Sequence, residues 1–231
     1  MALDVNKHRN IFIKILKDIY TDNTIGPILG FKGGTAAYMF YNLPRFSIDL
    51  DFDLLDSEKE DYVFERIGEI ISAYGKIKTK RKKRYTLFFE LSYLDEGHNV
   101  KVEINRRSFG SKYEVINYYG ISMKVMVRGD MSANKLVAMY ERLGRTKRDI
   151  FDIWFFLQND WPINKRLVEK RAGMPFGDFL QKCIHLLEKM SNHNILAGIG
   201  ELLDEKQKVW IKANLKKDTL FLLKLALENE K

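Results

Sequence analysis

Apolar positions near the start of the chain recur on one helical face. Ile11, Phe12, Ile15, Leu16 and Ile19 predict an amphipathic helix over residues 4–20. A short apolar run, residues 27–32, ends in Gly33-Gly34 and reads as a strand entering a tight turn. Thr35 stands where an N-cap would precede a short helix over 36–40. Residues 47–55 alternate polar and apolar, the period of a strand with one buried face. Asp56-Ser57 then caps a predicted helix over 58–74, with Val63, Phe64, Ile67, Ile70 and Ile71 inward. Strands over 85–94 and 99–105 follow, joined by a hairpin-type connection at 95–98. An extended segment over 121–127 precedes helices over 131–143 and 148–157.

Beyond residue 164 the pattern is helical throughout: 167–171, 176–190, 195–203 and a last stretch to 227. The chain therefore changes from mixed α/β to all-α near residue 130, which predicts an α/β domain over 1–130 and a helical domain over 131–231. Trp154, Phe155 and Phe156 read as core between the two halves.

Composition narrows the classes. The 231 residues are 45% hydrophobic and 30% charged, ordinary globular usage that excludes a disordered or fibrous chain. The net charge of +8 favours a polyanionic partner, a nucleotide, a nucleic acid or an anionic membrane, without choosing among them. The single cysteine, Cys183, excludes an intramolecular disulfide and a cysteine-based zinc site. His8, His98, His185 and His193 show no metal-ligand spacing. No apolar run approaches the length of a membrane helix, and the charged N-terminus does not read as a signal peptide, so the cytoplasm is the expected location.

The informative stretch is Lys32-Gly33-Gly34-Thr35 followed, about fifteen residues after the glycines, by Asp49-Leu50-Asp51-Phe52-Asp53. Alternation along a strand points Asp49, Asp51 and Asp53 to one face. Carboxylates so close repel, and a divalent cation with oxygen preference, Mg2+ or Mn2+, relieves them. A glycine turn at a helix N-terminus offers bare backbone N–H groups to phosphate. Either element alone also occurs on a solvated strand or in an ordinary turn; together they point to nucleoside triphosphate chemistry.

This combination resembles the nucleotidyltransferase superfamily, whose pattern is glycine-glycine-serine/threonine, a spacer, then D-x-D. Arg45-Phe46-Ser47-Ile48-Asp49-Leu50-Asp51 looks like the R-x-S-x-D-x-D form of AbiEii-like abortive-infection toxins (the AbiEii/AbiGii type). Lys135, Ala138 and Arg142 match the K-x-x-A…R segment of that family, and Arg148-Asp149-Ile150-Phe151-Asp152 its R-D-x-x-D segment. The resemblance implies a nucleotidyltransferase-type mixed β-sheet domain followed by a helical bundle. It implies that Asp49 and Asp51 hold the metal, with Glu103 as a third ligand on a neighbouring strand and Asp53 its rival. Lys32, Gly33, Gly34, Thr35, Arg45 and Ser47 would belong to the nucleotide cradle. Lys135, Arg142 and Arg148 would meet the phosphates, across a cleft between the halves. Asp149 or Asp152 would orient Lys135 or Arg142. The implied activity is metal-dependent transfer of a nucleotide from an NTP, with release of pyrophosphate, by the toxin of a type IV-like toxin–antitoxin pair. Its implied partners are a tRNA or other RNA acceptor and a cognate antitoxin. Transfer to a protein or small molecule, or nucleotide binding without turnover, are the rival functions.

Residues 76–84 read Lys-Ile-Lys-Thr-Lys-Arg-Lys-Lys-Arg, followed by Tyr85, and Arg106-Arg107 ends the partner strand. Basic residues beside an aromatic suit an RNA backbone; lysines equally guard an exposed sheet edge.

Overall fold

The Asp4 side chain accepts from the backbone N–H groups of Asn6 and Lys7 and starts helix α1 (Val5–Thr21). It does so in the computed structural model, which describes residues 4–93, 99–143, 145–200 and 203–230. Those residues divide into two units: residues up to 126, without 109–111, and 109–111 with 127 onward. The division falls just before the first helix of the second unit, so residue 130 lies inside that helix's first turn.

In the first unit, β1 (Leu29–Lys32) runs straight into α2 (Gly33–Tyr41), and β2 (Asp49–Leu54) follows. Next come α3 (Glu60–Ser72), β3 (Lys76–Lys82), β4 (Thr86–Ser92), β5 (Asn99–Asn105), β6 (Tyr113–Tyr118) and β7 (Ile121–Met126). The expected connection at 95–98 lies outside the described residues. The strands form one sheet in the order β3-β4-β5-β2-β1-β7-β6. β2 pairs with β5 and β1 with β7 in parallel; the other pairs are antiparallel. This is the expected mixed α/β architecture.

Alternation sorts the central strands as their sequence predicts. Leu50, Phe52, Leu87, Phe89, Leu91, Val100, Val102 and Ile104 are buried on one face. That face takes rings from the helices: Phe64 of α3 lies 5.1 Å from Phe89, and Tyr20 of α1 lies 6.4 Å from Phe52. Burial of such side chains stabilises by about 1.5–3 kcal/mol each. The opposite face is therefore left to the carboxylates of β2.

Two strands had no signal in the hydrophobic pattern. β3 carries Lys or Arg at five of its seven positions, and β6 is largely exposed. They are the two outermost strands of the sheet, where one flank meets water and alternation weakens. Thr35 is not an N-cap: α2 begins two residues earlier, with Lys32 at the capping position. Gly33 permits this, because its φ of +81° turns the chain from strand into helix without a connecting loop.

The second unit is helical: α4 (Arg128–Arg142), α5 (Arg148–Gln158), α6 (Lys165–Ala172), α7 (Phe176–Lys189), α8 (Glu205–Trp210) and α9 (Lys216–Glu228). A π-turn, Ile211–Leu215, joins the last two. Phe156 stacks on Trp161 at 4.1 Å, and Trp154 meets Trp210 at 4.2 Å, so this aromatic group packs within the helical unit. Of the expected helix over 195–203, the described residues 195–199 form turns instead. Asn194 and Gly198 take positive φ (56° and 74°), which breaks the segment into turns.

Cys183 is buried on α7, and burial pushes its thiol pKa up to about 12. Its thiolate is therefore scarce at neutral pH. Reaction with a thiol-specific disulfide reagent should be negligible in native buffer and complete in denaturant. Fast modification of the native protein would contradict the packing of α7.

Candidate active site

β2 and its neighbours bring the predicted acidic residues together in the first unit. In register across the sheet, Lys32 of β1 stands beside Asp51 of β2, and Asp51 beside Glu103 of β5. Asp49 lies two residues before Asp51 on the same face, and Asp53 two residues after it. Three acidic side chains, Asp49, Asp51 and Glu103, thus share one face on adjacent strands about 4.8 Å apart. Glu103 records the crowding. Burial, and then the charges of Asp51 and Asp49, raise its carboxyl pKa above the usual carboxylate value, against a smaller opposing pull from Lys83 and Lys101.

Asp53 is occupied differently. Its Oδ1 pairs with Lys32 Nζ and accepts from Asn105 Nδ2 at 2.7 Å, while Oδ2 accepts from the Tyr113 hydroxyl at 2.5 Å. The Tyr113 ring lies over Gly30, where a Cβ would stand 2.2 Å from it. Asp53 is thus the anchor of Lys32 at the end of β1, which leaves Glu103 as the third carboxylate beside the aspartate pair. Neither Asn105 nor Tyr113 was singled out from the sequence. Asn105 follows Glu103 at the alternating position, a signal that was present; Tyr113 lies on an edge strand with none.

The glycine turn meets this face directly. A Cβ on Gly33 would stand 2.3 Å from Asp51 Oδ2, and one on Gly34 would stand 2.7 Å from Arg45 Nη2 and 3.0 Å from Ser47 Oγ. Arg45 and Ser47, at 2% and 3% exposure, are buried against the first turn of α2. Arg45 Nη1 also donates to the Phe46 carbonyl at 3.1 Å. Thr35 is buried too, and its hydroxyl donates to the Asp49 carbonyl. These three side chains brace the turn and the start of β2. No side chain caps α2, so its leading N–H groups suit an anion.

Among the described residues, no three His, Cys, Asp or Glu side chains stand close enough to hold a metal ion by themselves. The donor set instead fits a hard cation that takes one or two carboxylates and completes its shell with water and substrate phosphates, as Mg2+ or Mn2+ does. The Gly33–Asp51 approach puts uncapped backbone N–H groups and a carboxylate side by side, as such a shell requires.

In the second unit, α4 and α5 assemble the other predicted residues. Lys135 Nζ lies 2.8 Å from Asp152 Oδ2 and 3.1 Å from Asp149 Oδ1, and Arg142 Nη2 lies 2.9 Å from Asp149 Oδ2. Asp149 and Asp152 are 1% and 0% exposed. Both aspartates therefore orient Lys135, and Asp149 orients Arg142 as well. Arg148 opens α5, its backbone N–H donating to Thr146 Oγ1 at 3.3 Å.

A mixed sheet carrying a glycine turn against a D-x-D strand, continued by helices, is the nucleotidyltransferase architecture. Solved structures with it include JHP933 from Helicobacter pylori (19% identity, TM-score 0.62, covering 100% of this chain and 96% of that one). The nucleotidyltransferase toxin MenT4 from Mycobacterium tuberculosis is similar as well (21% identity, TM-score 0.62, covering 95% and 84%). At such identities these likenesses speak for the fold. Comparison with curated proteins finds no match. The family model of the nucleotidyl transferase AbiEii toxin, type IV toxin–antitoxin system, matches residues 14–189. The chain belongs to the AbiEii family and is a nucleotidyltransferase.

Two substitutions probe these arrangements. Gly33→Ala forces a Cβ into Asp51 and keeps a side chain at positive φ, so it should cost about 1–2 kcal/mol of stability and weaken Mn2+–nucleotide binding; unchanged binding by calorimetry would refute the contact. Lys135→Met leaves two buried carboxylates without their shared cation and should lower unfolding free energy by about 3–5 kcal/mol. Lys135→Met with Asp152→Asn should recover part of that loss in denaturant titrations.

Proposed function

We propose that this nucleotidyltransferase moves a nucleotidyl group from an NTP to an RNA, with a tRNA as the leading acceptor. The observation that carries the proposal is the close approach of Gly33 to Asp51, which supports a turn for phosphate beside a strand for metal. The net charge of +8 supports a polyanionic acceptor. When bound at Asp49 and Asp51, with Glu103 beside them, Mg2+ or Mn2+ would draw charge from the triphosphate and from the attacking oxygen.

The chain's own groups do the remaining work. Backbone N–H groups at Gly33 and Gly34 hold the terminal phosphates, and Lys32 sits beside them, anchored by Asp53. Arg45, Ser47 and Thr35 keep the turn in shape. Lys135, Arg142 and Arg148 are the cations proposed to meet phosphate oxygens, Lys135 in an orientation set by Asp149 and Asp152. An acceptor hydroxyl attacks the α-phosphorus, the bond to the bridging oxygen breaks, and pyrophosphate leaves. A carboxylate of the sheet face takes the hydroxyl proton. As the toxin of its pair, the protein would be held in check by a cognate antitoxin.

Incubation with tRNA, Mg2+ and each α-labelled NTP tests this. Wild type should label RNA and release pyrophosphate, while Asp49→Asn and Asp51→Asn should each lose about a thousandfold or more in rate. Label entering protein or a small molecule instead would overturn the RNA acceptor. NTP binding with no label transferred anywhere would overturn turnover.

A further inference from the structure

The basic run at residues 76–84 is split by the sheet into two groups with different partners. Lys80 and Lys82 point to the helix side. Lys80 pairs with Glu65 and Lys82 with Asp61, and both lie over the Phe64 ring at 4.9 and 5.1 Å. Their charge is answered by α3. The alternate residues face the other way. Arg81 is in register with Phe88 of β4, and Phe88 with Glu103 of β5. Since Glu103 is in register with Asp51, and Asp51 with Lys32, one row crosses five strands: Arg81, Phe88, Glu103, Asp51, Lys32. Arg81 therefore shares the carboxylate face, three strand spacings or about 14 Å from Asp51.

Its neighbours extend the same surface. Arg81 lies 5.5 Å and Lys83 3.4 Å from the Phe88 ring. Exposed Tyr85, in the β3–β4 turn, has Arg84 over its ring at 4.9 Å and Arg107 at 4.7 Å. Among the described residues, Arg81, Lys83 and Arg84 have no carboxylate in ion-pair contact. The turn is held in place by Arg106, which donates to the Lys83 carbonyl at 2.9 Å and the Arg84 carbonyl at 3.3 Å, and is itself tied to Glu60 at 2.6 Å. Thus Arg106 and the two lysines facing α3 are structural, whereas Arg81, Lys83, Arg84 and Arg107 present guanidinium and ammonium groups on aromatic rings beside the carboxylate face.

We infer that this β3–β4 surface is where a single-stranded stretch of the RNA acceptor docks on its way to Asp49 and Asp51, an inference that rests on the RNA-acceptor proposal. The chemistry matches. Cations track phosphates, and guanidinium planes with a ring offer stacking to an unpaired base. A surface meant only to guard the sheet edge would need no such sorting, in which α3 neutralises Lys80, Lys82 and Arg106 but not Arg81, Lys83 or Arg84.

The test compares Arg81→Gln/Lys83→Gln/Arg84→Gln/Arg107→Gln with Lys80→Gln/Lys82→Gln, and adds Tyr85→Ala. Probes are a short fluorescent single-stranded oligoribonucleotide with a free 3′ hydroxyl, and deacylated tRNA, read by anisotropy across a KCl series. The fourfold variant should bind about tenfold or more weakly, and its log–log salt slope should fall by roughly 3. Tyr85→Ala should weaken binding about fivefold or more. The Lys80/Lys82 variant should keep the wild-type slope, and Mn2+–NTP affinity should be unchanged in that variant and in Tyr85→Ala. A fourfold variant that binds and labels RNA like wild type overturns this surface while leaving the RNA acceptor standing. An equal loss in the Lys80/Lys82 variant overturns it too. If wild type labels no RNA at all, the acceptor proposal falls and the surface with it.

Discussion

Mutual repulsion among Asp49, Asp51 and Glu103 is the constraint around which the first unit is organised. Two carboxylates about 5 Å apart at an effective dielectric near 20 repel by roughly 3 kcal/mol before solvent screening. Such a cost is large against a typical folding stability of about 5–15 kcal/mol. The sheet carries it because the other face of the same strands is apolar and buried, which fixes register: slipping β2 by one residue would bury the aspartates and expose Leu50 and Phe52. The apolar packing that makes the fold therefore also aims the acidic residues. Burial first, and then the charges of Asp51 and Asp49, raise the proton affinity of Glu103 on the carboxylate face.

The second unit meets a similar difficulty in another way. Asp149 and Asp152 are more deeply buried than the sheet carboxylates, yet Lys135 and Arg142 answer them at hydrogen-bond distance. That cluster is closed by its own ion pairs and fixes the orientation of Lys135. The carboxylate face is less deeply buried. There Lys32, in register with Asp51, is held by Asp53, and Lys101 stands in register with Asp49. One cluster is closed by ion pairs between two helices; the other gathers three acidic side chains on one face of a sheet.

Much of this was legible in the sequence wherever burial imposed a period. The strand at residues 47–55, the glycine turn and the helices α1, α3, α4 and α5 followed from alternation or helical spacing, and the family resemblance from the ordered motifs. What was missed lies where burial imposes none. β3 and β6 are edge strands, and residues 195–200 break where Asn194 and Gly198 turn left-handed. Thr35 read as a cap because it follows two glycines; in the fold its hydroxyl serves the Asp49 carbonyl, a contact between elements that no local pattern announces. Asp53 read as a rival of Glu103 because it shares a face with Asp49 and Asp51; in the fold Asn105, Tyr113 and Lys32 hold it.

A crystal soaked with Mn2+ and an NTP analogue that cannot be cleaved between its α- and β-phosphorus atoms tests the central claim most directly. The anomalous signal should mark manganese against the carboxylates of Asp49 and Asp51, with the terminal phosphates at the Gly33–Gly34 turn. Manganese and phosphates elsewhere, with Asp51 left uncoordinated, would contradict the account.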